Sequence, residues 1–293
     1  MASPALSSVV PVASSAPRPP LMRTATAAAL LGLAALAAAD NSATAILTGA
    51  HSSDVSSQTW EQVMDSPTNS SSAKFTGFNL TQGYPGTQQQ GWQLKIGVKT
   101  GLPSNLTATA MSIAPAAGQE LGKVDDSWHL CVHTFSVKAS SAGNWGSGKN
   151  DSCSGLVAVE CIQNLVKDAA SNYATDSCPD YSTKPACLRD LEQQTSLSLS
   201  LSAKNIPSAI GHNSTFFRRA DGTDAKAFTT AAGQPMAVLT VWGPSGNAEK
   251  APTVEVACVM PNAKVAAVSA STRAVAFLGW SAVTLAVAFQ LVL

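Results

Sequence analysis

Residues 196–202 read Ser-Leu-Ser-Leu-Ser-Leu-Ser, an alternation that only one regular structure can use. A helix would scatter Leu197, Leu199 and Leu201 around its axis. An extended strand lines them up on one face and leaves the serines on the other. Trp92, Leu94, Ile96 and Val98 alternate with Gln93, Lys95, Gly97 and Lys99 in the same way, and Thr253–Met260 puts Val254, Val256 and Cys258 on one side. Less regular strand candidates cover 43–48, 74–80, 106–113, 128–138 and 236–242. Turn-forming sequences such as Gly83-Tyr-Pro-Gly86, Leu102-Pro-Ser104 and Gly243-Pro-Ser-Gly246 separate them. Many short strands between such turns predict a mainly β chain, folded as an antiparallel β-sandwich.

One stretch breaks the period. Leu156, Val159, Ile162, Val166 and Ala169 recur at spacings of three and four, which suits an amphipathic helix. Pro185 fits a first helical turn, so a second helix is expected over 186–194 with Leu188 and Leu191 on one side. Region 153–194 therefore reads as a disulfide-stapled helical excursion between two groups of strands. It holds Cys153, Cys161, Cys178 and Cys187, which are expected to pair among themselves and leave Cys131 for Cys258. Segments 49–72 and 139–152, rich in Ser, Gly and Asn, are expected as loops.

The two ends of the chain are apolar. Ala25–Ala39 follows Arg18 and Arg23, no acidic residue precedes Asp40, and Ala37 and Ala39 supply small residues at a cut. That order predicts a secretory signal over 1–39, with Met22 as an alternative start. Ala274–Leu293 carries no charge, and its nearest cations, Lys264 and Arg273, precede it. A retained span normally has basic residues on its cytoplasmic side, whereas a lipid-anchor signal ends in a bare apolar tail. We read 263–293 as a GPI-anchor signal with attachment at Asn262, the alternative being a membrane-spanning segment. The mature chain is then an extracellular domain over 40–262. Asn69, Asn79, Asn105, Asn150 and Asn213 head glycosylation sequons there. The formal net charge is zero and no basic stripe occurs, which argues against nucleic-acid binding.

Chemistry-bearing motifs are sparse. In His129-Leu-Cys-Val-His133 a strand would place His129, Cys131 and His133 on one face, and two imidazoles with a thiolate can hold zinc or copper. That requires a free Cys131; the competing reading is a disulfide flanked by surface histidines. Apolar residues switch parity to Phe135 and Val137, so a bulge is expected near His133. Trp60 and Trp145, in loop-like sequence, are candidates for stacking on sugars. Asp125-Asp126 reads as a solvated turn, with a glycosidase carboxylate pair as the alternative. Arg218-Arg219 could be a dibasic processing site. Gly146-Ser-Gly-Lys149 lacks the strand and helix that a phosphate loop needs, and the sequence contains no G-x-S-x-G, H-E-x-x-H or Walker pattern. No cofactor is expected.

The combination of Ala25–Ala39, the Cys131–Cys258 framework in a Ser/Thr-rich chain, and Ala274–Leu293 resembles GPI-anchored, cysteine-containing surface proteins of filamentous fungi. The resemblance is architectural and does not extend to the eight-cysteine fungal surface domain. It implies display on the plasma membrane or cell wall through the secretory pathway, and it carries no catalytic residue. The expected function is non-enzymatic: adhesion, wall organisation or contact with wall polysaccharide. The alternatives are an extracellular enzyme acting on that polysaccharide and a surface metal-binding protein.

Overall fold

The computed structural model describes residues 45–138, 145, 153–175, 177–179, 181, 191, 197–211, 214–222, 225–246 and 250–261. The expectations for 1–39, 263–293, Asn150, Cys187, Asn213 and Asn262 lie outside these residues, as does the second helix over 186–194 apart from Leu191.

Two sheets face each other, as the alternation requires. In chain order the strands are β1 (Ile46–Thr48), β2 (Asn69–Phe78), β3 (Gln88–Lys99), β4 (Thr107–Ala114), β5 (Trp128–Ser136), β6 (Leu197–Ser202), β7 (Phe217–Asp221), β8 (Met236–Pro244) and β9 (Thr253–Val259). The first sheet has the order β1-β7-β4-β3-β2 and the second β6-β5-β8-β9. All pairs are antiparallel except the short β1 against β7. The interior between the sheets is built from the alternating residues: Trp92, Leu94 and Ile96 from β3 meet Leu130, Val132, Val238 and Trp242, and the β6 leucines close one side. Trp242 stands edge-on to both Trp92 and Trp128, at centroid distances of 5.2 Å and 6.3 Å.

Further layers cover the outer face of each sheet. Helix α1 (Ser57–Asp65) begins at Ser56, whose hydroxyl accepts from the Thr59 N–H. It buries Trp60 and Val63 against Ala108, Ala110 and Ala220 of the first sheet. Helix α2 (Val159–Asn172) forms where the sequence places one, but it buries Cys161, Leu165 and Ala169 rather than the expected face, and Val159 is 61% exposed. The three buried side chains pack with Leu239, Val241 and Cys258 on the outside of the second sheet. Two shorter helices, α3 (Ile206–Ala209) and α4 (Ala225–Ala232), lie among the later strands. Among the described residues no helix is long and apolar enough to cross a membrane.

Several expectations are corrected. Segment 49–72 is not a loop, since it contains α1 and the start of β2. No bulge occurs near His133, because the β5–β8 register runs unbroken from Trp128 to Ser136. Phe135 and Val137 are apolar because the outer face they share with His129 and His133 is itself covered. The bulge lies instead between Phe75 and Thr76, where Gly91, at φ +97°, is the extra residue opposite. The disulfides also differ from expectation. Cys131 pairs with Cys178 and Cys153 with Cys258, so two of the excursion's cysteines tie it down onto β5 and β9. Cys161 is disulfide-bonded as well. Leu191 forms an isolated bridge to Val137.

Candidate functional site

The outer face of β5 gathers the residues with chemical capacity. His129, Cys131 and His133 share it, as the sequence implies, but each is buried, His133 completely. What covers them comes from three other segments. His133 Nδ1 lies 2.6 Å from Ser198 Oγ on β6, and Tyr181 stands edge-on to its ring at 4.8 Å. His129 is held at both nitrogens, Nε2 at 2.9 Å from Ser200 Oγ and Nδ1 at 3.0 Å from the Tyr173 hydroxyl. That hydroxyl donates to Pro244 O at 2.9 Å. Burial, together with the charge of Asp168, pushes the Tyr181 phenol above its ordinary range, so it stays protonated.

Tyr173 can reach Pro244 because the neighbouring residue on β8 is Gly243. A Cβ there would overlap the Tyr173 ring. The ring therefore lies directly on the strand, past the end of α2 and beside His129.

Metal binding does not follow from this arrangement. The ligand atoms of His129, Cys131 and Cys178 lie within 4.8 Å of one another, but the two sulfurs are bonded together and offer no thiolate. The His129–His133 metal reading thus loses its third donor, and the alternative of surface histidines fails too. Disulfides such as Cys131–Cys178 and Cys153–Cys258 form in oxidising compartments.

The other candidates separate from this face. Trp60 is 2% exposed beneath Arg218, whose guanidinium lies 5.8 Å from the indole centroid. Trp145 is 5% exposed among Phe135, Leu156 and Tyr181. Neither presents a ring to a glycan. The Arg218-Arg219 pair sits in β7 with Arg218 buried and bonded to Thr215 Oγ1, so a protease cannot reach it in the folded chain. Asp125 accepts from the Ser127 N–H and hydroxyl, which holds its carboxyl below the ordinary range and fixes it in a turn. Of the sequon asparagines, Asn105 is exposed, Asn69 is half-buried at the start of β2, and Asn79 accepts from Thr81 in a turn.

Sequence reasoning missed Ser198, Ser200, Tyr173 and Tyr181. The serines could have been found: strict alternation places one serine column on the face opposite the leucines, where a neighbouring strand's histidines can meet it. Nothing in the spacing of the tyrosines marks them.

The fold and this face define a disulfide-bonded β-sandwich whose second sheet is covered on its outer side over β5 and β8. No family model, curated protein or solved structure matches the chain.

Proposed function

We propose that the protein is secreted, held at the cell surface by a C-terminal lipid anchor, and acts there by contact, in adhesion or wall organisation. The observation that carries this reading is the division of the sandwich into two unlike ends. β9 finishes beside β2, where Ser71 Oγ donates to Met260 O at 2.6 Å, and Pro261 follows at that end. At the opposite end the loops are tied to one another. Lys250 Nζ donates to Tyr84 O at 2.7 Å, the Trp128 indole to Gln82 O at 2.6 Å, and the Asp125 N–H to Leu80 O at 2.9 Å. An anchor attached just past Pro261 turns the first end to the membrane and presents the knitted loops outward. Rigid loops lose little conformational entropy on contact with a partner.

The test is the full chain expressed in a eukaryotic secretory host with an epitope inserted at Gly246, an exposed position in the outward loops. Intact cells should stain, and a phosphatidylinositol-specific phospholipase should release the signal. Staining that resists the lipase would favour a membrane-spanning tail, and intracellular staining alone would overturn the reading. Retention of the displaying cells on chitin or β-glucan would support wall contact through the loops. Release of soluble sugar would favour the polysaccharide-hydrolase alternative.

A further inference from the structure

The hydrogen bonds around His129 set its tautomer, and that setting gives Ser200 a role. The Tyr173 hydroxyl has one hydrogen and donates it to Pro244 O, so its contact with His129 Nδ1 is one in which Nδ1–H donates. A neutral imidazole with its hydrogen on Nδ1 carries its lone pair on Nε2. That lone pair faces Ser200 Oγ at 2.9 Å. The imidazole is buried, but Ser200 is exposed on β6, an edge strand of its sheet. A hydroxyl open to solvent, a base within hydrogen-bond reach behind it, and a third group orienting the base are the parts of an activated nucleophile. We propose that Ser200 is a nucleophile served by His129, with Tyr173 as the positioning residue, and that it transfers acyl groups from small esters to water. This activity is independent of display at the surface, and either can fail without the other.

The steps balance without a co-reactant beyond water. Ser200 Oγ forms a bond to the ester carbonyl carbon while its proton passes to His129 Nε2. The bond from that carbon to the leaving alcohol's oxygen breaks, and the proton on Nε2 goes to that oxygen. Water then repeats the sequence: it gives a proton to Nε2, its oxygen bonds to the acyl carbon, and the acyl–Oγ bond breaks as Oγ takes the proton back. Among the described residues β6 is at the edge of its sheet, and backbone N–H groups left outside a ladder are donors suited to an oxyanion. The orienting group is a neutral phenol rather than a carboxylate. A carboxylate in that position would also stabilise the imidazolium that forms during proton transfer, which a neutral phenol does less. Ser200 should therefore turn over slowly, and small, open substrates suit a site on a sheet edge.

A fluorophosphonate probe on the secreted full-length protein reads the first step directly. Peptide mapping should find the adduct on Ser200 and not on Ser198 or Ser202, which flank it on the same exposed column. Ser200→Ala should abolish labelling and Ser198→Ala should leave it unchanged. His129→Gln should slow it by about 10²-fold or more, the usual share of a general base. Tyr173→Phe should give a smaller loss together with a changed pH profile, which a purely structural tyrosine would not produce. Comparable adducts on all three serines of the wild-type protein, or no adduct on Ser200, would overturn the proposal without recourse to any variant.

Discussion

Replacing Gly243 with alanine probes the seat of Tyr173 with one methyl group. The added Cβ would overlap Cζ and Oη of the ring and lie 2.6 Å from Cε1. β8 is buried along its whole length and cannot retreat, so the ring must move. Overpacking of this kind costs about 1–3 kcal/mol. Displacing the hydroxyl also removes its bonds to Pro244 O and His129 Nδ1, about 1 kcal/mol each with a further penalty for polar groups left buried. Together Gly243→Ala should destabilise by about 3–5 kcal/mol. The assay is urea denaturation of the oxidised, secreted protein followed by tryptophan fluorescence, which the Trp92–Trp128–Trp242 cluster makes sensitive to loss of the interior. The cycle is completed in a Tyr173→Ala background, where the methyl enters vacated space and should cost less than about 0.5 kcal/mol, giving a coupling of at least about 2 kcal/mol. Equal costs in both backgrounds would refute the placement of Tyr173 on the strand.

Three further outcomes are expected. Removing Cys153–Cys258 by paired serine substitution opens a sequence separation of 105, and removing Cys131–Cys178 one of 47. The chain-entropy relation gives about 4.8 and about 4 kcal/mol, so the denaturation midpoint of the first variant should fall further, and the reverse order would show that local packing outweighs loop closure. Trp60→Ala should cost about 3–5 kcal/mol through the void left among Val63, Leu102 and Leu106. A stable variant with weakened glycan binding would restore Trp60 as a surface residue. Burial raises the Glu255 carboxyl above its ordinary 4.5, so the folded state favours its protonated form. Its contribution is present below pH 4.5 and is lost as pH rises through the folded value. Relative to wild type, Glu255→Gln should gain stability across that rise and show no gain below it, measured as midpoints over a pH series.

The strands that alternate strictly in the sequence, and those that read there only as less regular candidates, differ in how many faces they bury. β3, β6 and β9 keep a polar or partly exposed side along much of their length, and the alternation of period two announces them. β4, β5 and β8 are buried residue by residue, and a strand covered on both sides has no reason to alternate. That double burial also made Phe135 look like a change of register when it is only an outer-face residue under the excursion. β7 escaped notice because a buried arginine is rare. Arg218 is accommodated by stacking on Trp60 and bonding to Thr215, and neither contact has a sequence signature.

The site was half visible for a related reason. His129, Cys131 and His133 stand two residues apart on one strand, so the pattern alone places them together. Their chemistry depends on residues that arrive from elsewhere: Cys178 takes the thiolate out of play, and Tyr173 settles which nitrogen of His129 carries the hydrogen. The serine column of β6 could be read as the side of a strand away from the core, a description that normally ends in solvent. Here the adjacent strand's outer face is covered while β6, at the edge, is not. Buried imidazoles and exposed hydroxyls consequently meet along a single boundary, and that boundary is set by where the excursion stops rather than by any local sequence. A covering segment one strand wider would have buried Ser200 and made the His129 contact purely structural. At its present width the same contact faces solvent with an oriented base behind it.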